Sequence, residues 1–120
     1  MKPSEAGKWV YAKLDVQAVN ALVHGRIYAF TTMEPQPMPW IVYDNIVMDY
    51  DTTKDGNTPS TLTCTVTCSG ETHDEAMEVA DAVYEALNDV DDCMVTTVRA
   101  MYEDNVGHIV ELDIKKYIYE

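Results

Sequence analysis

The chain has 120 residues, 47% of them apolar, and a formal net charge of −13 at neutral pH. That length suits one domain around a single core, and that apolar content excludes a disordered tail. A surplus of acid this large excludes a basic nucleic-acid footprint and attraction to anionic lipid.

Residues 4–23 have the spacing of a helix in two pieces. Ser4 is placed to cap the first, which presents Trp9, Val10 and Leu14, and Asp15 to cap a second holding Val16, Val19, Leu22 and Val23. Gly25 follows where a helix end needs a residue tolerant of left-handed backbone. Residues 26–30 are a short strand, and the prolines at 35, 37 and 39 make 31–39 a loop. WIVYDNIVMDY, 40–50, is a long strand with apolar residues on both faces, so it is expected to lie centrally or beneath a partner. The polar segment 51–59, turning at Asp55-Gly56-Asn57, should join it in an antiparallel hairpin to 60–68.

Residues 60–90 organise the rest. Leu62, Cys64, Val66 and Cys68 alternate with Thr61, Thr63, Thr65 and Thr67, the pattern of a half-buried strand. The period breaks at Ser69-Gly70. Thr72 and Glu75 then form a capping-box pattern, and Ala76, Val79, Ala80, Val83, Leu87 and Val90 recur at helical spacing. From Glu71 to Asp92 there are nine acidic residues and no Lys or Arg. The wet face of this helix, with Asp74, Glu75, Glu78, Asp81 and Glu85, is therefore uniformly negative. Strands 93–103 and 108–118, joined by a turn at 104–107, complete the order α-β-β-β-α-β-β. The expected fold is α+β in two layers: a mainly antiparallel sheet of about five strands packed with two helical segments, as one domain over 1–120.

Tests for chemistry give little. The odd count of three cysteines, with no signal segment or membrane-length apolar run, points to a reducing compartment. Cys64 and Cys68 on one strand stand roughly 13 Å apart, too far for a disulfide. His24, His73 and His108 have no second ligand at zinc spacing. A calcium loop fails in both registers: from Asp51 the twelfth residue is Leu62, and from Asp49 Lys54 takes the glycine position. No cofactor fingerprint and no apolar carboxylate pair is present. A cysteine nucleophile paired with His73 or His108 stays open. So does a small soluble ligand-binding or enzymatic domain with a cleft beside Cys93, His73 or His108.

Three passages carry a resemblance: AVNALVHGRIYAF (18–30), PQPMPWIVYDNI (35–46) and TCTVTCSGETHDEAMEVADAVYEAL (63–87). In order and spacing they resemble the tail-completion proteins of long-tailed bacteriophages, the tail-to-head joining or tail-terminator family. The likeness covers about three quarters of the chain. It implies a non-enzymatic virion protein, assembled in the bacterial cytoplasm and placed at the head–tail junction. It would cap the tail tube and meet the head connector or stopper, as a ring, commonly a hexamer, around double-stranded DNA that passes without specific binding. Another neck or connector component is the neighbouring reading. Met38, Trp40, Tyr43, Tyr117 and Tyr119 are the candidate assembly surface. The acidic helix face is the candidate channel wall, or else a solvated face.

Overall fold

The computed structural model describes residues 1–30, 36–51 and 59–119. The expected tip at Asp55-Gly56-Asn57 and the first part of the proline loop lie outside the described residues. Two N-terminal helices, α1 (Pro3–Leu14) and α2 (Gln17–Val23), precede strands β1 (Ile27–Ala29), β2 (Ile41–Asp49) and β3 (Ser60–Gly70). Helix α3 (His73–Leu87) and strands β4 (Cys93–Glu103) and β5 (Gly107–Ile118) follow. The five strands form one sheet in the order β1-β2-β3-β5-β4. Every pairing is antiparallel except β1 with β2. The expected element order and fold class hold.

The core forms where the alternating face of β3 meets the helices. Leu62, Cys64, Val66 and Cys68 are buried together with Val110, Leu112 and Ile114 of β5. Ala76, Val79, Ala80, Val83 and Leu87 of α3 cover them, and Ala6, Val10 and Leu14 of α1 extend the layer. Burying side chains of this size contributes about 1.5–3 kcal/mol each, opposed by the entropy of ordering the chain.

Several local expectations give way to backbone detail. Pro3, not Ser4, starts α1; its missing N–H costs nothing at a position that has no intrahelical partner. Asp15 does not cap α2. Val16 holds the N-cap position, and Asp15 Oδ1 instead accepts from Asn20 Nδ2 at 2.7 Å. His24 takes the left-handed cap one residue before Gly25. α3 stops at Leu87, and Val90 belongs to a β-bridge with Cys93. β3 does not break at Ser69-Gly70, since both residues continue the ladder opposite Ile109 and His108.

The two-sided apolar pattern of 40–50 has a specific cause. A bulge between Asp44 and Val47, with Asn45 at φ 51°, switches the parity of β2. Ile41 and Tyr43 point into the core before the bulge, and Ile46 and Met48 pack against it afterwards. No partner is needed to account for that alternation. A second bulge, between Val95 and Thr97 of β4, lies at the same level of the sheet: Asp44 pairs with Thr65, Thr65 with Asp113, and Asp113 with Thr97.

Candidate functional site

Helix α3 presents the acidic face intact. Thr72 Oγ1 accepts from the Glu75 N–H at 3.1 Å, as the capping pattern predicts. The Glu75 carboxylate turns back to accept from the Glu71 N–H at 3.0 Å, so it closes the cap while its neighbours face water. Asp74, Glu78, Asp81 and Glu85 are exposed, spaced four, three and four residues apart in a single stripe. The first-turn acid Asp74 suits the positive end of the helix dipole. Glu78, Asp81 and Glu85 have no such compensation, and like charges at this spacing cost a few tenths of a kcal/mol per pair. α3 carries this repulsion because its other face is buried against β3 and β5.

The residues expected to form an assembly surface do not make one patch. Met38 lies over Gly107, where a β-carbon would come within 3.2 Å of its Cε. Trp40 is half-buried; its N–H donates to Ser69 Oγ at 2.8 Å and its carbonyl accepts from the Ser69 N–H at 3.0 Å. Tyr43 is a correction: before the bulge its side chain faces the helices and is buried, so the folded monomer offers it to no partner. Tyr117 is half-buried with Lys115 Nζ 5.4 Å above its ring, and Tyr119 is exposed. Gly107 and Tyr117 stand at opposite ends of β5, about 34 Å apart by strand rise.

The same geometry dismantles the cysteine–histidine reading. Cys93 pairs with Lys116, whereas His108 pairs with Tyr102. Those rungs are eight residues apart, about 27 Å along β5. Cys68 lies nearer His108 but is fully buried, and burial holds its thiol protonated far above the usual range. Burial likewise pushes Cys64 up to about 12 and Cys93 up to about 11, so none of the three is a thiolate near neutrality. His73 and His108 do approach each other, with ring centroids 6.4 Å apart, and Tyr102 meets His108 edge-on at 5.0 Å. Among the described residues, no three His, Cys, Asp or Glu side chains are grouped to hold a metal ion. No described helix is long and apolar enough to cross a membrane.

Sequence spacing does not reveal the polar centre of the sheet's open face. Asp113 Oδ2 accepts from Arg99 Nη1 at 2.6 Å, and its Oδ1 accepts from Arg99 Nη2 at 3.2 Å and from Thr65 Oγ1 at 2.9 Å. Both bulges flank this network, and a depression of about 280 Å³ lies beside it, lined by Asn45, Thr63, Thr96 and Lys115 among others. The Arg99 hydrogen bonds hold the Asp113 carboxyl below its ordinary range, so it is a fixed anion and not a proton donor. A carboxyl lowered by folding stabilises the fold above its unfolded pKa of about 3.9, and that contribution is lost as the pH falls further. With both side chains partly exposed, solvent screens the pair and its contribution to stability is small. Asp113→Asn should therefore melt slightly below the parent at pH 7, with the difference closing below about pH 4. Melting curves at both pH values check this; a difference that persists in acid would show the loss to be steric.

A second corner also escapes sequence reasoning. Lys13 and Lys116 bracket the Trp9 ring, with Nζ 5.8 and 4.8 Å from its centroid. Lys13 also pairs with Asp91, which lowers that carboxyl's pKa, and Lys116 donates to the Asp91 carbonyl at 2.5 Å. This explains why a lysine interrupts the apolar face of β5. It ties the end of α1 to the loop entering β4.

Comparison with known proteins gives two findings. The family model described as tail completion protein gp17 matches residues 9–109. A chain in the solved structure described as "Virion of native gene transfer agent (GTA) particle" superposes with a TM-score of 0.70 at 17% identity, covering 92% of each chain. At that identity the likeness is one of fold. A comparison with curated proteins found no match.

Proposed function

The chain belongs to the tail completion protein gp17 family, and from that premise we propose that it ends the tail tube of a phage or prophage and forms the surface that meets the head. The observation that carries the proposal is the extent of the family match, residues 9–109, which takes in β1 to β4 and the whole of α3 and ends at the start of β5. In this reading the protein does no catalysis. Its partners are further copies of itself in a ring, the tail tube protein, the head connector or stopper, and DNA that passes without being held.

The physical features fit that role. Three protonated thiols, an ionised Asp113 and a bulge-lined polar depression supply no nucleophile and no acid. The α3 stripe of Asp74, Glu78, Asp81 and Glu85 faces the channel in this proposal. Repeated around a ring, it would give a wall that repels phosphates and lets the duplex slide.

Deletion is the test. A phage lacking this chain should fill heads and build tails that do not join, with tails of irregular length because nothing stops the tube. Complementation in trans should restore joined particles. Tails of normal length that still fail to join would point to a head-side neck component instead, and normal infectious virions would refute both readings.

A further inference from the structure

The two lateral edges of the sheet are unlike the rest of the surface. At one edge, β4 is left open by the described residues along its outer side from Thr96 onward. Before that point its outer groups are covered, since Cys93 and Val90 exchange backbone hydrogen bonds and Asn88 Oδ1 accepts from the Val95 N–H. The open segment exposes Val98 at 49% and Tyr102 at 61%. Folded proteins usually guard a long edge with charge, proline or a covering loop. This chain has 21 acidic residues, yet none falls between Cys93 and Tyr102. The one charge there, Arg99, is taken up by Asp113.

The opposite edge has the same character. Residues 16–30 contain no acid at all. They end in β1, the other outer strand, and in Phe30, which is 61% exposed at φ 67°. A left-handed backbone is rare for a bulky side chain, and exposure of the ring adds a hydrophobic cost.

Strand directions make the two edges complementary. β1 and β2 run one way, β3 the other, β5 with β2, and β4 with β3. When a second copy is placed beside the first in the same orientation, its β1 meets β4 antiparallel. That is the more favourable sense of pairing. Such a head-to-tail contact uses two different surfaces, so repeated rotation can close a ring. Charge favours the same arrangement. Neighbouring copies would be set one sheet width apart, about 24 Å for five strands, roughly three Debye lengths at physiological salt. Their α3 stripes would then scarcely repel, whereas any contact through the helix face would press carboxylates together.

We infer that copies of this chain join edge to edge, the Thr96–Tyr102 segment of β4 in one pairing with Ile27–Phe30 in the next. This rests on the ring reading and specifies its interface. The apolar groups left bare by the monomer, Val98, Tyr102 and Phe30, would be covered at the joint.

The test is cross-linking in assembled particles. Ala29 and Val98 are exposed, and the three native cysteines are buried, so Ala29→Cys and Val98→Cys can be labelled selectively. Particles carrying the double variant, treated with a short bismaleimide, should give a ladder of linked chains rising to a closed species. Either single variant alone should give none. Dimers from Val98→Cys alone would mean that β4 pairs with β4, which overturns the inference. Particles with several copies at the junction but no ladder would overturn it while leaving the ring reading intact. Particles with a single copy per junction would end both. Val98→Lys, which leaves the core untouched, should keep the monomer's melting temperature and cut incorporation into particles at least tenfold; unchanged incorporation would count against the edge.

Discussion

Replacing Gly70 with alanine is expected to lower the melting temperature by roughly 10 °C or more, the largest loss from a single methyl group in this chain. Gly70 is the last residue of β3, and α3 begins three residues later. A β-carbon there would lie 2.4 Å from the Ala76 nitrogen, 2.9 Å from its Cα and 3.0 Å from the Glu75 carbonyl carbon. All three are backbone atoms, so no rotamer change relieves the overlap. The helix itself must move off the strand, and that movement loosens Val79, Ala80 and Val83 and pulls on the Thr72 cap. The cost should reach about 3 kcal/mol, the upper part of the range for overpacked sites. Gly25→Ala is the control. Its β-carbon would meet nothing within 4 Å, so only the left-handed φ of 78° opposes it, at about 1 kcal/mol. Thermal melts of the two variants side by side decide the matter. A Gly70→Ala protein melting within 2–3 °C of the parent, a drop of under about 1 kcal/mol, would show that α3 is not held against β3 at this point.

Gly70 also shows what a sequence can and cannot convey. Periodicity finds β3 and α3 because Leu62 to Cys68 and Ala76 to Leu87 each carry one apolar face, and those faces meet in the core. The glycine reads as the end of the strand's pattern. In the structure it lies within the strand, and it is small because a helix backbone crosses it, a contact with no period. The β2 bulge misleads for a similar reason. One shift of parity at Asn45 turns two ordinary half-buried segments into an apparently two-sided strand, and it moves Tyr43 from a candidate surface into the core. Caps set by a single side chain are legible, as Thr72 shows. Ser4 and Asp15 have the right chemistry, but Pro3 and the turn between α1 and α2 set the helix starts elsewhere. The Arg99–Asp113–Thr65 network joins three strands with no regular spacing, and only the ladder register reveals it. Residues 16–30 and 93–102 contain no acid, but only the strand order shows that the first run ends in β1 and the second forms most of β4, at the two sides of one sheet.

Reversing the α3 stripe should leave assembly intact and impair DNA delivery. In Asp74→Lys/Glu78→Lys/Asp81→Lys/Glu85→Lys the helix keeps its buried face, and lysines repel one another much as carboxylates do. Asp74→Lys places a cation at the positive helix end and Glu85→Lys places one at the negative end, so the two dipole effects oppose each other and folding stability should stay within about 1 kcal/mol of the parent. Under the proposed edge-to-edge pairing every copy has the same orientation, which would put all the stripes on one side of a ring wall. If that side is the channel, the substitutions replace repulsion of the duplex with attraction. A pair of charges about 4 Å apart in water contributes about 1 kcal/mol, multiplied over the ring and along a polymer with a phosphate every 1.7 Å or so. Counterion release makes such attraction steeply dependent on salt, which separates it from damage to the fold. Joined particles should form in normal number by electron microscopy, while triggered ejection slows at least tenfold near 50 mM salt and recovers toward the parent rate at several hundred millimolar. A neutral set, Asp74→Asn/Glu78→Gln/Asp81→Asn/Glu85→Gln, should fall between the two, because removing repulsion is a smaller change than creating attraction. Ejection matching the parent at every salt concentration would place the stripe on the outer wall, where its effect is confined to solubility.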